Sequence, residues 1–289
     1  VSELFAVLRD CLRADEPVAL ATVIEVSGDA GGDAAPPGAV PSLGAKVLLR
    51  HGQGALGTLG GPELDRAVID DLRDALESGV TADRHYGWQG QARGTSVTVF
   101  IEAFNPPPRM VIFGAVDFTK ALVRVAKVLG YRVTVCDARP VFATRARFPD
   151  ADEVVVDWPD RYLARAGARL GPGDAVCVLT HDAKFDVPAI VGALATQVGY
   201  IGAMGSRRTK EDRAQRLREA GVSEGELARL MAPIGLDIGA RTPEQTAVAI
   251  CAEIIAVRSG RATVLPLRDA SGPIHRAPSG RPVGVPFGL

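Results

Sequence analysis

Five stretches in the second half of the sequence carry charged or hydroxyl side chains, three of them together with glycines, in ways that could do chemistry. In Gly202-Ala203-Met204-Gly205-Ser206-Arg207-Arg208-Thr209, Gly205 permits a tight turn and Ser206 or Thr209 can cap a following helix. The free N–H groups of that helix would then point at a negative ligand. Arg207 and Arg208 add planar donors suited to phosphate. The competing reading is a solvated first turn in which both arginines pair with Glu211 and Asp212. In Thr180-His181-Asp182-Ala183-Lys184-Phe185-Asp186, His181 and Asp182 suit proton transfer, because imidazole titrates near neutrality. No Ser or Cys nucleophile with a matching signature accompanies them, so a polar loop that only orders a ligand fits equally well. Asp237 and Arg241 close the glycine-containing segment Pro233-Ile234-Gly235-Leu236-Asp237-Ile238-Gly239-Ala240-Arg241, which either lines a site or forms a buried connection.

The other two stretches concern a dinucleotide. Gly114-Ala115-Val116 matches the first glycine of G-x-G-x-x-G, but Val116 stands at the close-approach position and Thr119 at the helix-packing position. Asp117 beside a phosphate would repel it by roughly 1–4 kcal/mol; its alternative role is a helix cap. Asp137 falls about where an acidic residue takes a ribose hydroxyl. An NAD(P)-dependent oxidoreductase is therefore a second reading of these residues, weakened by the missing glycine.

These loops need strands behind them. The apolar runs Met110 to Phe113, Val133 to Cys136, Val154 to Val156, Ala175 to Leu179 and Tyr200-Ile201 alternate with helical or turn segments, the pattern of buried parallel strands with helical crossovers. The sequence predicts an α/β fold: a Rossmann-like doubly wound parallel sheet over 110–258, preceded by a smaller α+β domain over 1–104. The loops beginning at Gly114, Asp137, Thr180 and Gly202 should share one sheet edge. In the first domain, Glu3 to Ala14 is helical by period, Val18 to Val26 and Thr95 to Ala103 are strands, and Lys46 to Leu49 with Ala55 to Leu59 flank Gly52-Gln53-Gly54 as a hairpin. Gly28 to Leu43 has no apolar period and reads as a disordered or functional loop. Asn105-Pro106-Pro107-Pro108 marks a linker over 105–109. Thr242-Pro243-Glu244-Gln245 is a capping box opening a helix to about Arg258. Beyond it, 259–289 holds five Pro and five Gly in 31 residues and reads as an extended or partly disordered tail.

Composition narrows the function. In 289 residues, 33 Lys and Arg against 34 Asp and Glu give a net charge of −1, so no global basic field draws the chain to nucleic acid. No apolar run reaches the roughly 18 residues of a membrane span, and the first residues lack a signal-peptide pattern, which points to the cytoplasm. Cys11, Cys136, Cys177 and Cys251 are widely spaced, mostly in apolar patterns, and read as reduced core thiols. His51, His85, His181 and His275 have no metal-ligand spacing, so no zinc or iron–sulfur site is expected.

The ordered motifs Thr180-His181-Asp182 with Lys184-Phe185-Asp186, Gly202 to Arg208, and Ala232 to Glu244 resemble the xanthine dehydrogenase accessory factor family, XdhC/CoxI. Gly44-Ala45-Lys46 and Gly57-Thr58-Leu59-Gly60-Gly61 are similar to its N-terminal module. The resemblance implies a non-catalytic protein that binds molybdenum cofactor in its molybdopterin form and protects it during sulfuration by a cysteine desulfurase. It also implies delivery to an apo molybdo-hydroxylase of the xanthine or carbon monoxide dehydrogenase type, commonly by a homodimer. Cofactor-binding residues are then expected among Gly60, Gly61, Gly114, Asp137, Thr180, His181, Asp182, Gly205, Ser206, Arg207, Arg208, Asp237 and Arg241. Two departures stand out. Where many members read Gly-Gly-Gly-Cys-Leu-Glu, this chain has Gly60-Gly61-Pro62-Glu63-Leu64-Asp65, a carboxylate for a thiol. Val116-Asp117 replaces a glycine and a histidine. A divergent paralogue acting as an interaction scaffold is the third reading.

Overall fold

The structure, a computed structural model, describes residues 2–27, 41–50, 52–88, 90–91, 96–260 and 264–271, with the backbone alone at 2, 77–78 and 207–210. Most of the glycine-rich stretch 28–43 and of the tail beyond 259 lies outside the described residues. Contacts divide the chain into two compact units, one running to Pro106 and the other from Pro107 to Ala270.

The first unit holds α1 (Ser2–Arg13), β1 (Val18–Val26), β2 (Lys46–Arg50), β3 (Ala55–Thr58), α2 (Pro62–Ser78), β4 (Ala82–Tyr86) and β5 (Val97–Phe104). Its strands form an antiparallel sheet in the order β3-β2-β1-β5-β4. Successive β1 side chains point to opposite faces. Ala19, Ala21 and Val23 pack with Leu64, Val68 and Leu72 of α2, while Val18 and Leu20 pack with Leu4, Leu8 and Cys11 of α1. Two covered faces explain why β1 is apolar almost throughout. The strand β4 is an addition to the sequence reading.

The second unit holds β6 (Arg109–Phe113), α3 (Asp117–Val128), β7 (Arg132–Cys136), β8 (Glu153–Val155), α4 (Pro159–Ala166), β9 (Ala175–Val178), α5 (Ala183–Leu194), β10 (Tyr200–Ala203), α6 (Arg207–Glu219), α7 (Glu224–Leu227), β11 (Leu230–Met231) and α8 (Pro243–Arg258). All six strands run parallel in the order β8-β7-β6-β9-β10-β11. This is the Rossmann order, with the reversal between β6 and β9. Side chains alternate into two cores. Met110 and Ile112 join α3 and α8, whereas Val111 and Phe113 join α4 and α5. The central strands of the sequence reading are thus apolar because helices cover both faces, whereas the edge strand β8 is only partly buried.

The capping box at α8 forms as its residues predict. Thr242 Oγ1 accepts from the Gln245 N–H at 3.2 Å, and Gln245 Oε1 accepts from the Thr242 and Arg241 N–H groups at 3.3 and 2.8 Å. Replacing Thr242 with alanine is expected to cost about 1 kcal/mol of stability, measurable by urea denaturation. Among the described residues no helix is long and apolar enough to cross a membrane.

Candidate functional site

With every strand of the second unit parallel, the loops after β6, β7, β9 and β10 emerge at one edge, where ligands of open α/β sheets bind. The turn after β6 begins at Gly114, whose φ of +109° few side chains tolerate. A Cβ there would lie 2.7 Å from Thr180 Cγ2 and 3.2 Å from the backbone of Leu179 and Thr180. Glycine therefore lets the loops after β6 and β9 touch, which is a packing duty as well as a conformational one.

The amides of this turn are largely occupied. Ala115 N–H donates to Asp137 Oδ2 at 2.8 Å. Val116 N–H reaches Thr119 Oγ1 at 3.4 Å, and that hydroxyl donates to the Gly114 carbonyl at 2.5 Å. Thr119, fully buried, thereby anchors the helix start. Two expectations change here. Asp117 does not cap the helix, since Val116 is the N-cap residue and Asp117 opens the helix with its side chain exposed, 3.8 Å from Arg147. Asp137 is not free for a ribose hydroxyl. Its Oδ1 accepts from Arg139 N–H and Nε, both at 2.9 Å, and its Oδ2 accepts from Arg139 Nη2 and Ala115 N–H, both at 2.8 Å. Burial pushes the Asp137 carboxyl up, but these donors outweigh it and hold the group below the usual carboxylate range.

The loop after β9 is fixed by a buried pair that the sequence reading left without a role. Thr180 Oγ1 donates to Asp186, and Arg213 Nη2 donates to Asp186 Oδ2 at 3.0 Å and to the Met204 carbonyl at 2.6 Å. One guanidinium thus joins α6, α5 and the end of β10. Arg213 lies four residues before buried Leu217 on a helix that is otherwise polar, a spacing that points both inward. His181 and Asp182 are exposed. Asp182 caps α5 by accepting from Lys184 N–H at 3.1 Å and pairs with Lys184 Nζ at 3.3 Å; the backbone donor leads in holding its carboxyl low.

Gly205 and Ser206 follow β10 at this same edge, and α6 starts at Arg207. The side chains of Arg207 and Arg208 lie outside the described residues. Asp237 and Arg241 are exposed on the approach to α8, which is tied to the end of β10 by Ile234 N–H donating to the Ala203 carbonyl at 3.0 Å. Gly60 and Gly61 belong to the first unit, in the turn before α2. There Asp65 accepts from Leu59 N–H and Thr58 Oγ1, each at 2.7 Å. Glu63, at the position of the family thiol, is exposed and paired with Arg66 at 2.8 Å.

All four cysteines are free and buried. Burial pushes the Cys136 thiol up to about 12 and Cys251 to about 11, and raises Cys177 as well. None of those three is poised as a thiolate.

The strand order and the loops gathered at one edge define a Rossmann-type domain. The chain belongs to the XdhC/CoxI family: the XdhC Rossmann domain matches residues 110–254, and the XdhC and CoxI family description matches residues 11–87. It is 29% identical over 230 residues to the uncharacterized protein YqeB of Escherichia coli (strain K12), covering 77% of this chain and 42% of that one. It is 32% identical over 169 residues to a probable xanthine dehydrogenase subunit of Bacillus subtilis (strain 168), covering 58% and 48%. It is 28% identical over 165 residues to the molybdenum cofactor insertion chaperone PaoD of Escherichia coli (strain K12), covering 57% and 45%. The chain spans rather less than half the length of these curated relatives.

Proposed function

We propose that this protein is a non-catalytic, cytoplasmic accessory factor that binds molybdenum cofactor and delivers it to an apo molybdo-hydroxylase. The observation that carries this reading is the loop after β10, where Gly205 and Ser206 lead into α6 at the same edge as the Gly114 turn and Thr180. Family membership and the likeness to a molybdenum cofactor insertion chaperone support it.

The residues suit the anionic and heterocyclic parts of such a group. The N–H groups at the start of α6, with Arg207 and Arg208, would hold its phosphate. Thr180, His181, Asp182, Asp237 and Arg241 would offer polar contacts around the same edge. Gly114 keeps the loops close, and Asp137 braces them. The thiols fit less well: all four are buried, and Glu63 stands where a cysteine could meet the metal. When bound, the cofactor would supply the molybdenum centre used later by the client, while this chain binds and shields it. A cysteine desulfurase and a second copy of the chain belong to the same proposal as partners.

Purification from cells that make the cofactor, followed by oxidation, is expected to release a fluorescent pterin. Absence of pterin, with no binding of added cofactor, would overturn the reading. Arg207→Ala with Arg208→Ala is expected to lower pterin retention at least tenfold, with the thermal unfolding midpoint unchanged. Unchanged retention would move the anion site elsewhere.

A further inference from the structure

The outward face of α8 is unlike those of the other helices. Exposed positions on α2 carry Glu63, Arg66, Asp70 and Arg73, and on α3 Lys120, Arg124 and Lys127. Between Gln245 and Val257 the single charged residue of α8 is Glu253, and it is turned inward. Its Oε2 accepts from Tyr200 Oη at 2.5 Å and from Gly235 N–H at 2.8 Å. Solvent instead meets Val248 (49% exposed) and Ile255 (53%), with partly buried Ala252 between them. A helix that is apolar all round is normally covered all round. Ile238, 54% exposed, continues the patch, and a shallow groove is lined by Ile238, Ala240, Gln245 and Val248.

We propose that this face is covered by the α8 of a second copy of the chain, crossing antiparallel about a two-fold axis near Ala252. The inference rests on the proposed partnership with a second copy and names the surface that makes it. Val248, Ala252, Ile255 and Ser259 recur at intervals of four, three and four residues, the spacing of a helix-to-helix seam. A two-fold contact must be self-complementary: if one residue meets a second, the second must meet the first. The face satisfies this. Val248 and Ile255 lie two turns apart, about 10 Å, on either side of Ala252. Ile255 of each copy then enters the groove beside Val248 of the other, and the small Ala252 lets the backbones approach. Charge selects the direction. Glu244 stands in the first turn and Arg258 in the last, so antiparallel copies bring unlike charges and opposed helix dipoles together, where parallel copies would bring like ones. Because Ile238 and Ala240 belong to the segment that carries Asp237 and Arg241, each copy would also steady that segment of the other.

The test is sedimentation velocity of the full chain at increasing micromolar concentration, with no cofactor added. A monomer–dimer equilibrium is expected, and Ile255→Glu is expected to raise the dimer dissociation constant at least tenfold, because it would put a carboxylate into each apolar groove. Cross-linking reads the direction. A mixture of Val248→Cys and Ile255→Cys proteins, oxidised with copper–phenanthroline, is expected to give mainly mixed disulfide dimers; the four native thiols are buried and stay out of the reaction. A monomer throughout, a dimer whose dissociation constant ignores Ile255→Glu, or cross-linking of each variant mainly to itself would overturn the proposal. If Ile255→Glu fails to fold, sedimentation of the native protein and the cross-linking still decide. A chain that releases pterin yet sediments as a monomer would keep the cofactor reading and lose this surface, so the two failures are distinguishable.

Discussion

Arg213→Ala is expected to lower the unfolding free energy by about 3–5 kcal/mol at neutral pH. Asp186 and Arg213 have side-chain exposures of only 6% and 9%, so removing the cation strands a carboxylate away from water. It also releases the Met204 carbonyl and unlinks α6 from the loop after β9. The loss should depend on pH with a defined sign. Burial already holds the Asp186 carboxyl above its usual value, against the pull of Thr180 and Arg213. Without Arg213 it rises further, so the folded variant binds a proton that the unfolded chain gives up nearer pH 4. Its stability therefore falls as pH rises from the unfolded carboxylate value through the raised folded one, and the deficit shrinks again on acidification. Urea denaturation of native and variant protein between pH 4 and pH 8 measures this. A deficit of under 1 kcal/mol, or one that grows towards acid pH, would remove Arg213 from the role described. Replacing Arg213 and Asp186 together by Met and Leu should recover much of the loss, since no buried charge is left unpaired.

Gly114→Ala is expected to cost about 2–4 kcal/mol, the sum of an unfavourable backbone conformation and a steric clash. The clash is with the backbone at Leu179 and Thr180 as well as with the Thr180 methyl, so rotation of a side chain cannot relieve it. Gly130 provides the control. It has φ +81° with nothing within 4 Å of a built Cβ. Alanine there should cost only the backbone part, about 1–2 kcal/mol. Equal destabilisation by the two substitutions would show that the loops after β6 and β9 yield without penalty. A larger effect at Gly114, with ligand affinity falling in parallel, would show that the close approach positions the site.

The parallel strands of the second unit were legible because each is a short apolar run between helical segments, and the start of α8 because its cap is local. The strand β4, Ala82–Tyr86, was not, since as an edge strand it is mostly polar and exposed, with only Tyr86 buried. The two-residue strand β11 is too short to show a period. In the site, the loops and their common edge followed from strand order, but their internal wiring did not. Arg213 and Asp186 are 27 residues apart and meet only because β10 lies next to β9. Asp137 sits where a ribose acceptor would be, yet Arg139, two residues on, turns back to claim it.

The burial of the thiols has a practical corollary. Cys11 lies in the first unit, packed between α1 and its sheet, whereas Cys136, Cys177 and Cys251 lie in the second. An alkylating reagent reaches a buried thiol only when the surrounding structure opens. Site-resolved labelling by mass spectrometry therefore gives each half its own intrinsic clock for opening, without any introduced probe. Comparing the two clocks before and after a ligand is added would reveal which half the ligand steadies.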